Sequence, residues 1–224
     1  MQTSFTLNEV HWFANGGDVD SCGYISALQC AWAVAPWVFL ESEKALRAAA
    51  GDPDDGIRDG TTLAEIKAAA EGCYPAFKGK CAVLSRVTWS RFVTEAKDNH
   101  PMSVSLMASK LPTRLRHGFA GAHQCSLVVK ADGRVLWADP LADASYSRWT
   151  EIAFDDVRPA ILAHGNGAVN AVRFPTEAEM FPSHPLFAEA TRDAIAAATV
   201  AFVAENGQLR QRITAAQQAL GGQA

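Results

Sequence analysis

Three residues of this chain have the types and settings that thiol-based acyl transfer requires. Cys22 stands at the head of the apolar run Cys22 to Cys30, directly behind the polar, glycine-containing stretch Asn15 to Ser21. His123 follows Gly121-Ala122 and opens the run Cys125-Ser126-Leu127-Val128-Val129. Asp139 closes the run Val135-Leu136-Trp137-Ala138 and precedes Pro140. A cysteine attacks a carbonyl as its thiolate, which a helix N-terminus and a neighbouring imidazolium both favour because both present positive charge. The imidazole can then hand a proton to the leaving group. A carboxylate on its other nitrogen holds one tautomer.

The elements that must position these groups can be read from periodicity and breakers. Residues 22–36 are apolar for too long to be a typical strand, so a buried helix is expected, continuing toward Arg47. The loop Gly51 to Gly56 ends it. Thr61-Thr62-Leu63-Ala64-Glu65 has the form of a capping box, with Thr62 as N-cap of a helix ending near Gly72. Thr88-Trp89-Ser90-Arg91-Phe92-Val93 opens another helix, to about Asn99. Strands are expected at 102–107, 124–130, 134–138 and 168–174. Asp132-Gly133 marks a hairpin between the second and third of these. His123 then opens one hairpin strand and Asp139 ends the next, so antiparallel pairing brings both to the same end of the sheet. Helices followed by antiparallel strands predict an α+β fold.

The ordered set resembles the papain-like cysteine peptidases that process bacteriocin leaders, the double-glycine peptidases, and the bacterial and phage domains similar to them. The matching residues are Ser21-Cys22-Gly23, Gly121-Ala122-His123 and Asp139-Pro140, with softer likeness at Gly60 to Ile66 and at His100-Pro101-Met102-Ser103-Val104. The resemblance spans roughly residues 8–160. It implies a papain-like fold, N-terminal helices packed on an antiparallel sheet, with Cys22 as nucleophile, His123 as base and Asp139 as orienting carboxylate. A hydrolase of this kind needs no cofactor, and the absence of Cys-x-x-Cys or His-x-x-x-His spacing argues against a structural zinc site. The family carries a Gln about six residues before its cysteine, donating to the oxyanion; here that position is Gly16, with Asn15 beside it. Asn15 is the expected substitute, since a side-chain amide can do the same work. The family's Pro-Ala after Cys-Gly is Tyr24-Ile25 here. These departures leave two outcomes open: a divergent hydrolase, or an inactive papain-like module that serves assembly.

Each candidate also has a plainer use. Cys22 could be a small buried apolar group, His123 a core histidine bonded to backbone, and Asp139 a turn former. His117, in Arg114-Leu115-Arg116-His117-Gly118, is the rival base. Cys30, Cys125 and Trp137 are expected in the interior.

Beyond the papain-like domain, assigned to residues 1–174, the prolines of 175–185 read as a linker to a C-terminal helix over 186–224. In that helix Ile195, Phe202, Leu209 and Ala216 recur every seven residues, with Thr199, Asn206, Ile213 and Leu220 between them. The heptad pattern predicts a coiled coil, giving a homo-oligomer or docking to a partner through residues 195–220. A single amphipathic helix folded on its own domain is the alternative.

Bulk composition excludes several classes. A net charge of −4 offers no basic footprint for nucleic acid. No apolar run approaches the roughly 18 residues of a membrane span. The N-terminus has neither the basic region nor the apolar core of a secretory signal, so the expected site is cytoplasmic when made. Five cysteines at irregular spacing do not read as a disulfide framework, although Cys73 and Cys81 could pair. The expected substrate is a peptide or a peptidoglycan peptide. The resemblance to phage domains suggests association with a virion, as an enzyme or as a structural part of a phage tail.

Overall fold

The computed structural model describes residues 21–34, 43–52, 60–97, 99–130, 132–142 and 149–180. Asn15, the remainder of the expected linker past residue 180 and the heptad segment lie outside the described residues. Cys22–Val34 forms α1, Glu43–Ala50 α2 and Leu63–Cys73 α3. The join between α1 and α2 also lies outside the described residues. Thr62 caps α3 as expected: its hydroxyl accepts from the Glu65 N–H at 3.2 Å, and Glu65 accepts from the Thr62 N–H at 2.6 Å.

Among the described residues six strands follow: β1 (Ala82–Val87), β2 (Pro101–Met107), β3 (Ala122–Val129), β4 (Val135–Ala138), β5 (Thr150–Ile152) and β6 (Val169–Arg173). They form one sheet in the order β1, β6, β2, β3, β4, β5, and each neighbouring pair is antiparallel. The Asp132-Gly133 hairpin joins β3 to β4, with Gly133 at φ 85°, the left-handed backbone its turn requires. Helix α4 (Trp89–Ala96) starts at its Thr88 cap but stops short of Asn99, which has a positive φ of 66°. Helix α5 (Phe154–His164) lies between β5 and β6. The expected succession of helices and then strands therefore needs correcting. Strand β1 precedes α4, and α5 interrupts the strands.

The sheet is covered on both faces. Residues of α1, α2 and α3 pack with Val172 and Phe174 in one cluster. Residues of α4 and α5 pack with Val104, Leu127, Trp137 and Ala171 in the other. Side chains alternate along a strand, so β3 sends Gln124 and Ser126 toward α1, and His123, Cys125 and Leu127 to the opposite side. Residues 174–180 pack on this unit: Phe174 is fully buried, its N–H donates to the Pro101 carbonyl at 2.8 Å, and Met180 is 6% exposed. All five cysteines are free thiols.

The face of the sheet beneath α1 is polar yet sealed from water. Ser26 of α1 lies 2.7 Å from Ser103 of β2 and 2.8 Å from Ser126 of β3, hydroxyl to hydroxyl. Gln29 of α1 also lies 2.9 Å from Ser126. Gln124 bridges Ser103 at 2.9 Å and Ser105 at 2.8 Å. A buried polar network of this kind admits one register, because a slip of helix against sheet leaves several groups unpaired at once.

Candidate active site

Cys22 is the first residue of α1 and the only one in that helix that is not buried. The backbone N–H of Ile25 bonds the Ser21 carbonyl at 3.0 Å, closing the first turn. The Ser21 hydroxyl donates to Glu43 at 2.7 Å. Glu43 in turn accepts from Arg47 at 2.8 Å, and Arg47 reaches Asp52 at 2.7 Å. Tyr24, standing where the resembled family has proline, is fully buried; its hydroxyl donates to Asp52 at 2.7 Å, and the Arg47 guanidinium lies over its ring at 4.8 Å. The departure from the family pattern thus ties the N-terminal end of α1 to α2.

Gly23 stands where there is no room for a side chain. A side chain there would put its Cβ 2.5 Å from the Cβ of Thr61. The close approach it allows is of the Thr61 segment, which precedes α3, against α1.

His123 sits near the start of β3, paired on one side with Leu106 of β2. Its Nε2 lies 2.8 Å from Oδ1 of Asp139, the residue that follows β4. Cys22 is close enough to the ring to act on it, and its interaction favours the protonated imidazole. The structure brings Cys22, His123 and Asp139 near one another, at the tip of α1 and the end of the sheet. Oδ1 of Asp139 also accepts the Leu141 N–H at 2.7 Å, an Asx-type turn at the Asp-Pro step. The turn-forming use of Asp139 and its contact with His123 are thus both present.

Burial alone would lower the His123 pKa. Hydrogen bonding to Asp139 and to Cys22, together with their charges, more than reverses this and raises it to about 9. At neutral pH the ring is an imidazolium beside the Asp139 carboxylate. The buried cysteines move the other way. Burial and then Glu71 push Cys81 up to about 12. Burial raises Cys30 further. Burial, with the charges of Asp139 and Cys22, raises Cys125 well above its ordinary value. Those three thiols stay protonated and sealed off.

Phe119, 39% exposed, was not anticipated at the site. Its ring meets that of His123 edge-on at 5.5 Å. It also explains Gly121, where a Cβ would fall 2.9 Å from the Phe119 ring. The rival base His117 lies in the preceding turn with φ 44°. With Arg114, Leu115, Trp137, Asp139 and Glu151 it lines a cavity of about 170 Å³.

Cys125 is fully buried, as expected, yet it is also part of the site. Donor atoms of His123, Cys125 and Asp139 lie within 4.8 Å of one another. Imidazole, thiol and carboxylate together could suit a soft divalent ion. In this geometry Nε2 and Oδ1 stand at hydrogen-bond length and answer each other directly.

No protein-family profile matches the sequence, and no curated protein matches it. Among solved structures the chain is similar to a provisionally assigned C39-like peptidase from Bacillus anthracis. The two are 13% identical with a TM-score of 0.47, over 70% of this chain and 89% of that one. At that distance the chemistry must be argued from this chain's own residues. No helix among the described residues is long and apolar enough to cross a membrane.

Proposed function

We propose that this chain is a papain-like cysteine hydrolase that cleaves an amide or peptide bond through an acyl-enzyme. One observation carries the reading: His123 is hydrogen-bonded to Asp139 and close enough to Cys22 to be influenced by it, and of these three residues only Cys22 is not buried. In the reaction Cys22 Sγ attacks the carbonyl carbon, its proton having passed to His123. The imidazolium gives that proton to the departing amine as the C–N bond breaks, leaving a thioester on Cys22. Water then attacks the thioester with His123 as base, the acid product leaves, and the thiol returns. Asp139 keeps the ring oriented throughout. The Cys22 backbone N–H and the Asn15 amide are the proposed oxyanion donors.

The test is the rate of iodoacetamide alkylation at each cysteine against pH, with His123→Ala as control. Cys22 is expected to react fastest near neutral pH and to lose that advantage in the variant. Equal rates at Cys22 and the buried thiols would sink the hydrolase reading. The chain would then be pursued as an assembly module.

A further inference from the structure

Antiparallel pairing sets three ligand-type residues on one side of β3 and the chain beside it. Ser126 pairs with Ala138 and Leu127 with Trp137, so one further step in the same register puts Asp139 opposite Cys125. Residues so placed carry their Cβ atoms about 4.5–5.5 Å apart on one face. His123, two residues before Cys125, shares that face. One ligand atom from each of His123, Cys125 and Asp139 falls within 4.8 Å of the others, and all three residues are buried. Ligands bound to a tetrahedral zinc ion at about 2.0–2.3 Å stand about 3.3–3.8 Å apart, so a contraction of about 1 Å closes the site. A second observation points the same way. Oδ1 of Asp139 is engaged by His123 and by the Leu141 N–H. Oδ2 is buried and has no hydrogen-bond partner, and only 2% of the side chain is exposed. A buried carboxylate oxygen with nothing bonded to it costs stability unless a cation answers it.

We propose that His123, Cys125 and Asp139 form a binding site for one borderline-soft divalent ion, zinc, whose arrival switches the hydrolase off. Thiolate and imidazole select zinc over magnesium or calcium, which prefer oxygen ligands. Nε2, the Cys125 sulfur and Oδ2 are the ligands, and a water completes the tetrahedron. Asp139 also lines the cavity it shares with His117 and Trp137, which gives ion and water a route to it. Leu141 keeps its hold on Oδ1, so the carboxylate stays oriented while Oδ2 binds. Charge balances in the exchange. The ion brings two positive charges, the imidazolium proton on Nε2 and the thiol proton leave to solvent, and no electrons move. A ring bound through Nε2 carries its remaining proton on Nδ1, so no lone pair is left to take the proton of Cys22. Only this last consequence rests on the proposed hydrolase; the binding itself does not.

The test uses the full chain with Cys22→Ala, so that the nucleophile cannot supply the sulfur, and cobalt(II) as an optical stand-in for zinc. One cobalt ion per chain is expected to bind, with the charge-transfer absorption of a thiolate ligand and the visible bands of a four-coordinate ion. Zinc should erase both by competition. X-ray absorption at the zinc edge, which needs no further variant, should show one sulfur at about 2.3 Å among nitrogen and oxygen ligands. Adding Cys125→Val, which fills the space without a ligand, should remove the charge-transfer band. Adding Asp139→Asn should weaken cobalt binding by more than about tenfold, since losing even an outer-shell partner of a metal site costs about 10–100-fold. The proposal is overturned if the Cys22→Ala chain binds cobalt without sulfur or not at all, if the band survives Cys125→Val, or if Asp139→Asn binds as tightly as its parent. With Cys22 intact, zinc should slow iodoacetamide alkylation of Cys22 severalfold, and Cys125→Val should abolish that effect. If Cys22 is unreactive with and without zinc while the cobalt bands behave as stated, the hydrolase reading falls and the metal site stands. If Cys22 is reactive and no thiolate–cobalt band forms, the metal site falls and the hydrolase reading stands.

Discussion

Nε2 of His123 and Oδ1 of Asp139 lie 2.8 Å apart, and only 2% of either side chain is exposed. Each charge is therefore answered by its partner and not by solvent. Removing one member of such a pair leaves a buried charge alone, which typically costs about 3–5 kcal/mol. His123→Ala is expected to lose stability on that scale in urea unfolding. The double variant His123→Ala, Asp139→Asn should recover part of the loss, because the orphaned charge is gone. A double variant less stable than His123→Ala would show that the pair is not what Asp139 depends on.

The same pair gives stability a defined pH dependence. The His123 pKa rises from 6.5 to about 9 on folding. A raised folded-state pKa means that the native state holds the proton more tightly, so the contribution is complete below about pH 6.5. It is lost as pH climbs toward 9. The drop across this window should be on the order of 3 kcal/mol. Urea midpoints between pH 6 and 9.5 should fall in the parent and fall less in His123→Ala. Parallel curves for the two chains would remove His123 as the source.

Gly23→Ala should destabilise by about 1–3 kcal/mol, the usual cost of forcing a methyl into a filled space. The new Cβ would stand 2.5 Å from the Thr61 Cβ. Thr61→Gly in the same chain should relieve most of that loss, because it removes the side chain in the way. Chemical denaturation of the four chains of this cycle measures the coupling. Additive effects would mean that the strain lies elsewhere.

Ser126 joins Ser26 and Gln29 of α1 within the buried network. Ser126→Ala should cost about 1–3 kcal/mol through the partners it strands. It should also slow alkylation of Cys22, since the same helix carries the thiol four residues before Ser26. A stability loss with no change in that rate would limit the network to the fold.

Sequence showed the parts of this molecule that local rules govern. The Thr62–Glu65 box and the Asp132-Gly133 turn are short-range devices, and both formed as expected. Strands β2, β3, β4 and β6 were also legible from their apolar runs. Strand β1 was missed because its partner is β6, far along the chain. Helix α5 was missed because Pro159 lies inside it, where proline ordinarily argues against a helix. The residue types of the site could be read because Cys22, His123 and Asp139 each stand at an element's end. Their surroundings could not. Ser26 meets Ser103 and Ser126 across separations of 77 and 100 residues. Polar residues at alternate strand positions ordinarily signal a wet face, so the burial of Ser103, Ser105 and Ser126 depends on α1 landing there. Cys125 drew an interior assignment, which is correct. Its nearness to Asp139 follows only once β3 and β4 are in register.

The strand order has a consequence for how the molecule comes together. Strand β6 is the last of the six in sequence, yet it lies between β1 and β2. Until residues 169–173 are in place, β2 has an open edge on the side away from β3, and β1 has no partner among the described strands. The hairpins that bear His123 and Asp139 can pair early, because their contacts are close in sequence. Closure of the sheet must wait for a contact across 91 residues, Ala82 with Arg173. Long-range pairing of this kind slows folding, and an open edge invites pairing with other chains in the meantime. A nascent chain emerging from a ribosome would thus carry its imidazole and carboxylate on a half-built sheet, with assembly completed by the strand that arrives last.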